Sequence, residues 1–356
     1  MEIIDILKAA VQKGASDLHL VIGQPPMVRQ DGELKAMTEF PALTAEESKR
    51  MIYTLLSDTQ RVRFEQEMDL DFSLAVEGVS RFRANILVQK NGVEAVFRVI
   101  SSRIPTLDDL QMPPVIAELA NMPRGLVLVT GPTGSGKSTT LACLINMINQ
   151  KRRCHILTVE DPIEFVYENK NSVIRQREIG QQSRSFGAAL KHALRQDPDV
   201  VLVGEMRDLE TIGAALTMAE TGHLVLATLH TTDAAQTIDR IIDVFPAYQQ
   251  QQVRTQLSST LKAVVCQTLI PRLNAKGRVA AREIMIVTSA ISNLIREGKT
   301  HQIYGAIDTG ARVGMISLDK ALADLVKKGL ISTEEALAKA NRPELIRGAP
   351  PAAMAA

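Results

Sequence analysis

Tryptophan is absent from this 356-residue chain, which holds only four tyrosines and eight phenylalanines. So few aromatic faces argue against a protein that grips single strands by base stacking. An excess of one charge is missing too, since 41 basic and 40 acidic side chains leave a net charge of +1. Dedicated nucleic-acid binders carry a basic excess or stripe, so nucleic acid is not the expected partner. Cysteine is scarce: Cys143, Cys154 and Cys266 stand far apart with no C-x-x-C pair. That spacing excludes a disulfide framework and a cysteine zinc site. No apolar run approaches the ~20 residues that cross a bilayer. The opening MEIIDILKAAVQKG mixes acids with apolar residues and reads as an amphipathic helix, not a signal peptide. The expectation is a cytoplasmic protein, docked on a membrane at most from that side.

What is present divides in two, as a chain longer than one core usually requires. Residues 1–100 read as a small mixed domain. After the opening helix, Gly14 is a natural stop. SDLHLVIG is a strand, PMVRQDGELKAM a hairpin about Asp31-Gly32, and LTAEESKRMIYTLLS a helix whose Thr44 and Glu47 form a capping box. DLDFSLAV, SRFRANILVQ and VEAVFRVI alternate as strands do, which predicts an antiparallel sheet with helices on one side. Residues 101–124 hold four prolines and a short helix, and look like an interdomain linker. From 125 to 346 strands alternate with helices, the mark of a parallel sheet, the last sixty or so residues being mostly helical. GLVLVT, HILTVED, DVVLVGE and HLVLATLH are its expected strands. Residues 347–356 are low in complexity and are expected to be disordered.

GPTGSGKST, after the buried strand GLVLVT, matches G-x-x-x-x-G-K-[ST] in the right context. The loop from Gly131, Pro132, Thr133, Gly134, Ser135 and Gly136 to Thr139 lets backbone amides close around phosphate at a helix N-terminus. Lys137 reaches the outer phosphates, and Ser138 holds Mg²⁺. The strand PDVVLVGEMRD supplies the acidic partner, with Gly204 where aspartate is usual and Glu205 next to it. Glu205 is the candidate for activating water, and for meeting the metal through a water. HILTVEDPIEF brings Glu160, Asp161 and Glu164, three carboxylates that ask for a cation or nucleotide nearby. Glu160 and Asp161 are assigned to nucleotide binding and Glu164 to catalysis, although spacing does not rank them. His223 and His230, seven apart around one strand, do not share a metal. His230 follows the strand and suits a γ-phosphate sensor; His223 suits nucleotide binding or a structural role equally.

The four segments GPTGSGKST, TVEDPIEF, PDVVLVGEMRD and TGHLVLATLHTTDA, in this order, resemble the secretion and pilus traffic ATPases. There they are the Walker A motif, the aspartate box, a Walker B motif ending in glycine-glutamate, and the histidine box. GASDLHL and AISNLIRE resemble the branch that retracts type IV pili, with Ser292 departing from the arginine of that signature. Neither the added N-terminal region nor the four-cysteine zinc motif of the extension branch is present. The resemblance implies an N-terminal PAS-like α+β domain followed by a RecA-like P-loop ATPase domain, in a homohexamer. It implies ATP or ADP with Mg²⁺, and an inner-membrane pilus platform protein and a paralogous retraction ATPase as partners. It also implies that Arg83 and Arg98, the matches to family arginines, complete the nucleotide site from the N-terminal domain. An accessory retraction ATPase, a nucleic-acid-translocating ring and a nucleotide-sensing scaffold are the alternatives. Finally, SAISNLIREGK predicts a short helix capped by Ser289 and stopped at Gly298. Its Ile291, Leu294 and Ile295 face inward, and Asn293, Arg296 and Glu297 outward.

Overall fold

The structure, a computed structural model, describes residues 2–347 except residues 31, 101–102 and 276. Asp31 of the expected hairpin turn and the tail from residue 348 lie outside the described residues. The chain forms two compact units, one of residues 1–103 with 162–166, the other of residues 104–161 with 167–356.

The first unit runs α1 (Ile3–Gln12), β1 (Asp17–Leu20), β2 (Met27–Gln30), β3 (Glu33–Ala36), α2 (Ala45–Tyr53), α3 (Asp58–Glu67), β4 (Asp69–Val76), β5 (Ser80–Gln89) and β6 (Gly92–Ile100). Its sheet has the order β3-β2-β1-β6-β5-β4, with every pairing antiparallel. Alternation decides the faces: Phe82, Ala84 and Ile86 of β5 and Ala95 and Phe97 of β6 are buried with Ile6 and Leu7 of α1, Met51 and Ile52 of α2 and Phe64 of α3. The intervening Arg83 and Arg98 point to the other face and are exposed. Thr44 and Glu47 make the capping box expected of them, and Gly14 ends α1 with a positive φ of 68°.

The second unit opens with α4 (Pro114–Leu119), β7 (Gly125–Thr130), α5 (Lys137–Lys151), β8 (His155–Glu160), β9 (Val173–Glu178), α6 (Phe186–Ala193), β10 (Val200–Val203), α7 (Leu209–Glu220) and β11 (Leu224–Leu229). It continues through α8 (Ala234–Asp243), α9 (Ala247–Thr260), β12 (Leu261–Pro271) and β13 (Arg278–Ile286). Helices α10 (Ser289–Arg296), α11 (Ile303–Thr309), α12 (Leu318–Lys327), α13 (Thr333–Leu337) and α14 (Pro343–Arg347) follow. The sheet order is β13-β12-β7-β11-β10-β8-β9, parallel throughout except for β13. Every residue of β7, β10 and β11 is buried, because helices cover both faces. Four of these strands were legible as apolar runs; β9, β12 and β13 were not among the expected ones. VIRQRE of β9 is mostly polar at the sheet edge, while β12 and β13 form a long ribbon that departs from simple strand–helix alternation. Among the described residues no helix is long and apolar enough to cross a membrane.

Candidate functional site

In a parallel sheet the carboxyl ends of the strands all open on one edge, where ligands bind. Here β7, β11, β10 and β8 are neighbours in that order. The edge therefore presents, in sequence, the phosphate loop, His230, Glu205 and Asp161. The phosphate loop and Glu205 are two strands apart, about 10 Å at ordinary strand spacing.

The loop owes its shape to its glycines. Gly131, Gly134 and Gly136 have positive φ of 139°, 77° and 87°, a region that side chains rarely enter. At Gly131 a Cβ would also run into the Gln267 carbonyl and lie 2.7 Å from Ser135 Oγ. The turn delivers the backbone to the N-terminus of α5, whose unpaired amides and dipole favour an anion. Pro132, Thr133 and Gly134 are exposed, whereas Lys137, Ser138 and Thr139 are half-buried. The Lys137 ammonium donates to the Gly131 and Pro132 carbonyls at 2.8 and 3.0 Å, which brings its charge over the loop.

Glu205 follows β10 in a turn tied to β11 by the Met206 amide donating to the Thr228 carbonyl. Gly204 precedes it because space is short: a Cβ there would sit 3.2 Å from both Glu160 Cα and the Val159 carbonyl. The Glu205 carboxylate is gripped by Arg207, Nε to Oε1 at 2.6 Å and a guanidinium N–H to Oε2 at 2.7 Å. His230 Nε2 lies 3.0 Å from the same Oε1. Burial would raise the pKa of Glu205, but Arg207 and His230 outweigh it and hold the carboxyl below its ordinary value. Asp208, next in the chain, caps α7 by accepting from the Thr211 amide at 2.9 Å. Arg207 was not singled out in the sequence. It stands two residues from Glu205, but only the turn between β10 and α7 aims it back.

The other candidates separate. Glu160 is buried at the end of β8, where its Oε1 accepts from Thr158 Oγ1 at 2.6 Å and from Gln176 at 3.3 Å. Asp161 is exposed beside it and contributes to the field at Arg207. Glu164 groups with the first unit rather than with these two. His223 stands at the opposite end of β11 from the phosphate loop, since Leu224 pairs with Gly125 and Leu229 with Thr130. Its Nδ1 meets the Met218 carbonyl at 2.9 Å and Thr221 Oγ1 at 3.2 Å, a placement that supports the structural of its two readings. Arg83 and Arg98 are cross-strand neighbours on the first unit's exposed sheet face. Arg98 donates to Asp17 at 2.9 Å while remaining 70% exposed.

The short helix α10 exists, with Ile291 and Ile295 fully buried and Arg296 and Glu297 exposed. Its cap is Thr288 rather than the expected Ser289: the extended backbone falls one residue earlier, and the Thr288 hydroxyl accepts from the Ile291 amide. Gly298 follows with φ of 70°.

Residues 2–301 match the family described as type II/IV secretion system protein. The chain is 53% identical to the type IV pilus retractation ATPase PilT of Pseudomonas aeruginosa over 344 residues, 97% of this chain and 99% of that one. The type IV pilus ATPase PilU of the same organism is 40% identical over 341 residues, 96% of this chain and 89% of its own length. Among solved structures, the pilus retraction motor PilT with bound ADP superposes with a TM-score of 0.91 at 46% identity, covering 97% of this chain and 98% of that one. The fold class is thus α/β, a PAS-like α+β domain followed by a RecA-like P-loop ATPase domain.

Proposed function

We propose a function from the premise that the chain belongs to the type II/IV secretion system protein family: it is an ATPase that powers retraction of type IV pili, the motion behind twitching. The observation that carries this reading is similarity to a pilus retraction ATPase over nearly the full length of both chains. The accessory PilU-type reading rests on a more distant relative, 40% identical against 53%.

In the mechanism we infer, loop amides and Lys137 bind the β- and γ-phosphates of ATP. Glu205 orients the attacking water and takes its proton, with His230 sharing the carboxylate oxygen that faces it. For that, Glu205 must release one oxygen from Arg207, which occupies both. Glu160 and Asp161 border the same edge and limit where the charged nucleotide can lie. Ser138, half-buried in the first turn of α5, would offer Mg²⁺ a hydroxyl, and Glu205 a carboxylate by way of a bound water. That sparse oxygen set fits an ion that keeps most of its waters. When bound, Mg²⁺ neutralises charge building on the phosphates. Arg83 and Arg98 are held to be further contributors on the family resemblance, and Glu164 on its place among the carboxylates that follow β8.

The motor reading extends to assembly. The chain works as a homohexamer, peripherally docked at the inner membrane against a pilus platform protein, with a paralogous retraction ATPase as a further partner. Deleting the gene tests the direction of the motor. Surface pili should accumulate while twitching is lost; fewer pili would mean that the chain drives extension instead.

A further inference from the structure

Beneath the phosphate loop lies a buried amide that the chemistry above does not use. Gln267, on β12, is 4% exposed. Its Nε2 donates to the Ser135 carbonyl of the loop at 2.7 Å, and its Oε1 accepts from Thr140 Oγ1 in the first turn of α5 at 2.9 Å. One side chain thus ties the middle of the loop to the helix that follows it. Pairing of Cys266 with Thr130 holds this part of β12 alongside the end of β7, from which the loop departs.

The contact extends to the backbone. The Gln267 carbonyl occupies the space that a side chain at Gly131 would need, and its Nε2 lies 3.2 Å from where a Cβ at Gly136 would be. Two of the motif's glycines therefore sit against this residue. The chemistry is also directional: the loop offers a carbonyl and the helix a hydroxyl donor, so an amide satisfies both at once. A carboxylate would set oxygen against oxygen at Ser135, and an apolar side chain would leave both partners unpaired in a dry site.

We propose that Gln267 is a positioning residue for nucleotide, clamping the phosphate loop to the first turn of α5 so that the loop amides converge on phosphate. This rests on the ATPase reading of the loop, and goes beyond it by assigning the loop's shape to β12. Gln267 touches no reacting atom. It should therefore govern affinity more than the chemical step, because Glu205 and His230 stand on other strands.

The test compares the full chain with Gln267→Met, Thr140→Val, their double variant and Val264→Ala, a truncation in the buried core of the same strand. ADP affinity, KM for ATP, kcat and Tm are measured for each. Gln267→Met should weaken ADP binding and raise KM by about tenfold, the effect of one or two unpaired buried polar groups. In the same variant kcat should stay within about threefold of the parent, as expected when ground-state and transition-state binding fall together. Thr140→Val should cost less in the Gln267→Met background than alone, since the two share one hydrogen bond. Val264→Ala should lower Tm without moving KM.

ADP affinity of Gln267→Met within about twofold of the parent overturns the proposal. So does a Val264→Ala variant whose KM rises as far, since affinity would then merely follow stability. If Gln267→Met does not fold, Thr140→Val alone decides, and unchanged ADP affinity in it overturns the clamp. A parent chain that binds no ADP would overturn the ATPase reading and this role together; a parent that binds beside an equally competent Met variant overturns this role alone.

Discussion

Glu205 works under two opposing pressures. Burial disfavours its charge, while Arg207 and His230 favour it more strongly and keep the carboxyl below its ordinary value. A base held so low is charged at any working pH, but it is also a weaker base, and both its oxygens are engaged. Glu205→Gln should leave ATP bound and slow turnover by roughly 10²–10⁴-fold, the usual worth of a positioned base. Filter binding beside a phosphate-release assay checks it, and lost binding with normal turnover per bound ATP would make Glu205 a binding group. Arg207→Gln removes the largest of the effects that lower the Glu205 pKa, so that pKa should rise. The acid limb of kcat/KM should then move to higher pH; a limb that does not move would show that another group is the base. Lys137, Ser138 and Glu205 could be named as candidates because a loop, a helix start and a strand end are local in the chain. The grip of Arg207 and the clamp of Gln267 were not, since each depends on where a turn or a distant strand brings a side chain.

Elements meet at a buried carboxylate that no motif marks. Glu283 of β13 is 1% exposed and accepts from the Ala234 amide, at the N-terminus of α8, at 2.9 Å. The Leu318 amide, at the start of α12, also bonds to it. Burial nevertheless wins over these amides, with Asp233 adding to it, and pushes the carboxyl up to about 7. A folded-state value above the unfolded one means that the folded chain binds more protons between the two. Stability is therefore greatest below the unfolded value and falls as pH rises towards 7. Glu283→Gln stays neutral, so Tm should fall less between about pH 5 and about pH 8, by roughly 5 °C. Calorimetric melts across that range decide it; parallel curves for parent and variant would mean that Glu283 does not titrate there. The strand bearing Glu283 was illegible for a related reason. RVAAREIMI carries three charges, and only the helix termini packed around it make its central acid tolerable inside a sheet. Helix α10, by contrast, was legible in stripe and stop, and its cap shifted by one residue because two adjacent hydroxyls could each serve.

For the whole molecule, the boundary between units falls earlier than the proline-rich stretch suggested. Residues 104–124 group with the second unit. Arg152 donates to the Ala120 and Met122 carbonyls at 3.3 and 3.1 Å, and the buried Arg282 donates to the Leu110 carbonyl at 3.1 Å. A fragment begun at residue 125 strips these carbonyls away and leaves a buried guanidinium short of a partner. It should melt several degrees below one begun at residue 104, as a loss of about 2 kcal/mol implies. Equal melts would show that the segment adds nothing. Prolines 105, 113, 114 and 123 pointed to a linker because proline breaks regular structure, but a segment can be irregular and still be packed. Nucleotide turnover must leave the ATPase unit as motion. Helix α10 buries Ile291 and Ile295 against the body and turns Arg296 and Glu297 outward. Arg296 bonds locally to Asn293 at 3.2 Å, and Glu297 pairs with Lys299 at 2.7 Å. Such exposed pairs contribute little to stability, about 0–1 kcal/mol, so the outward face is free to serve a partner. Changing Arg296 and Glu297 together to alanine should leave the fold and ATP binding near normal, while pilus retraction in cells fails. If the double variant retracts pili at the parental rate, that face is surface and the coupling runs elsewhere.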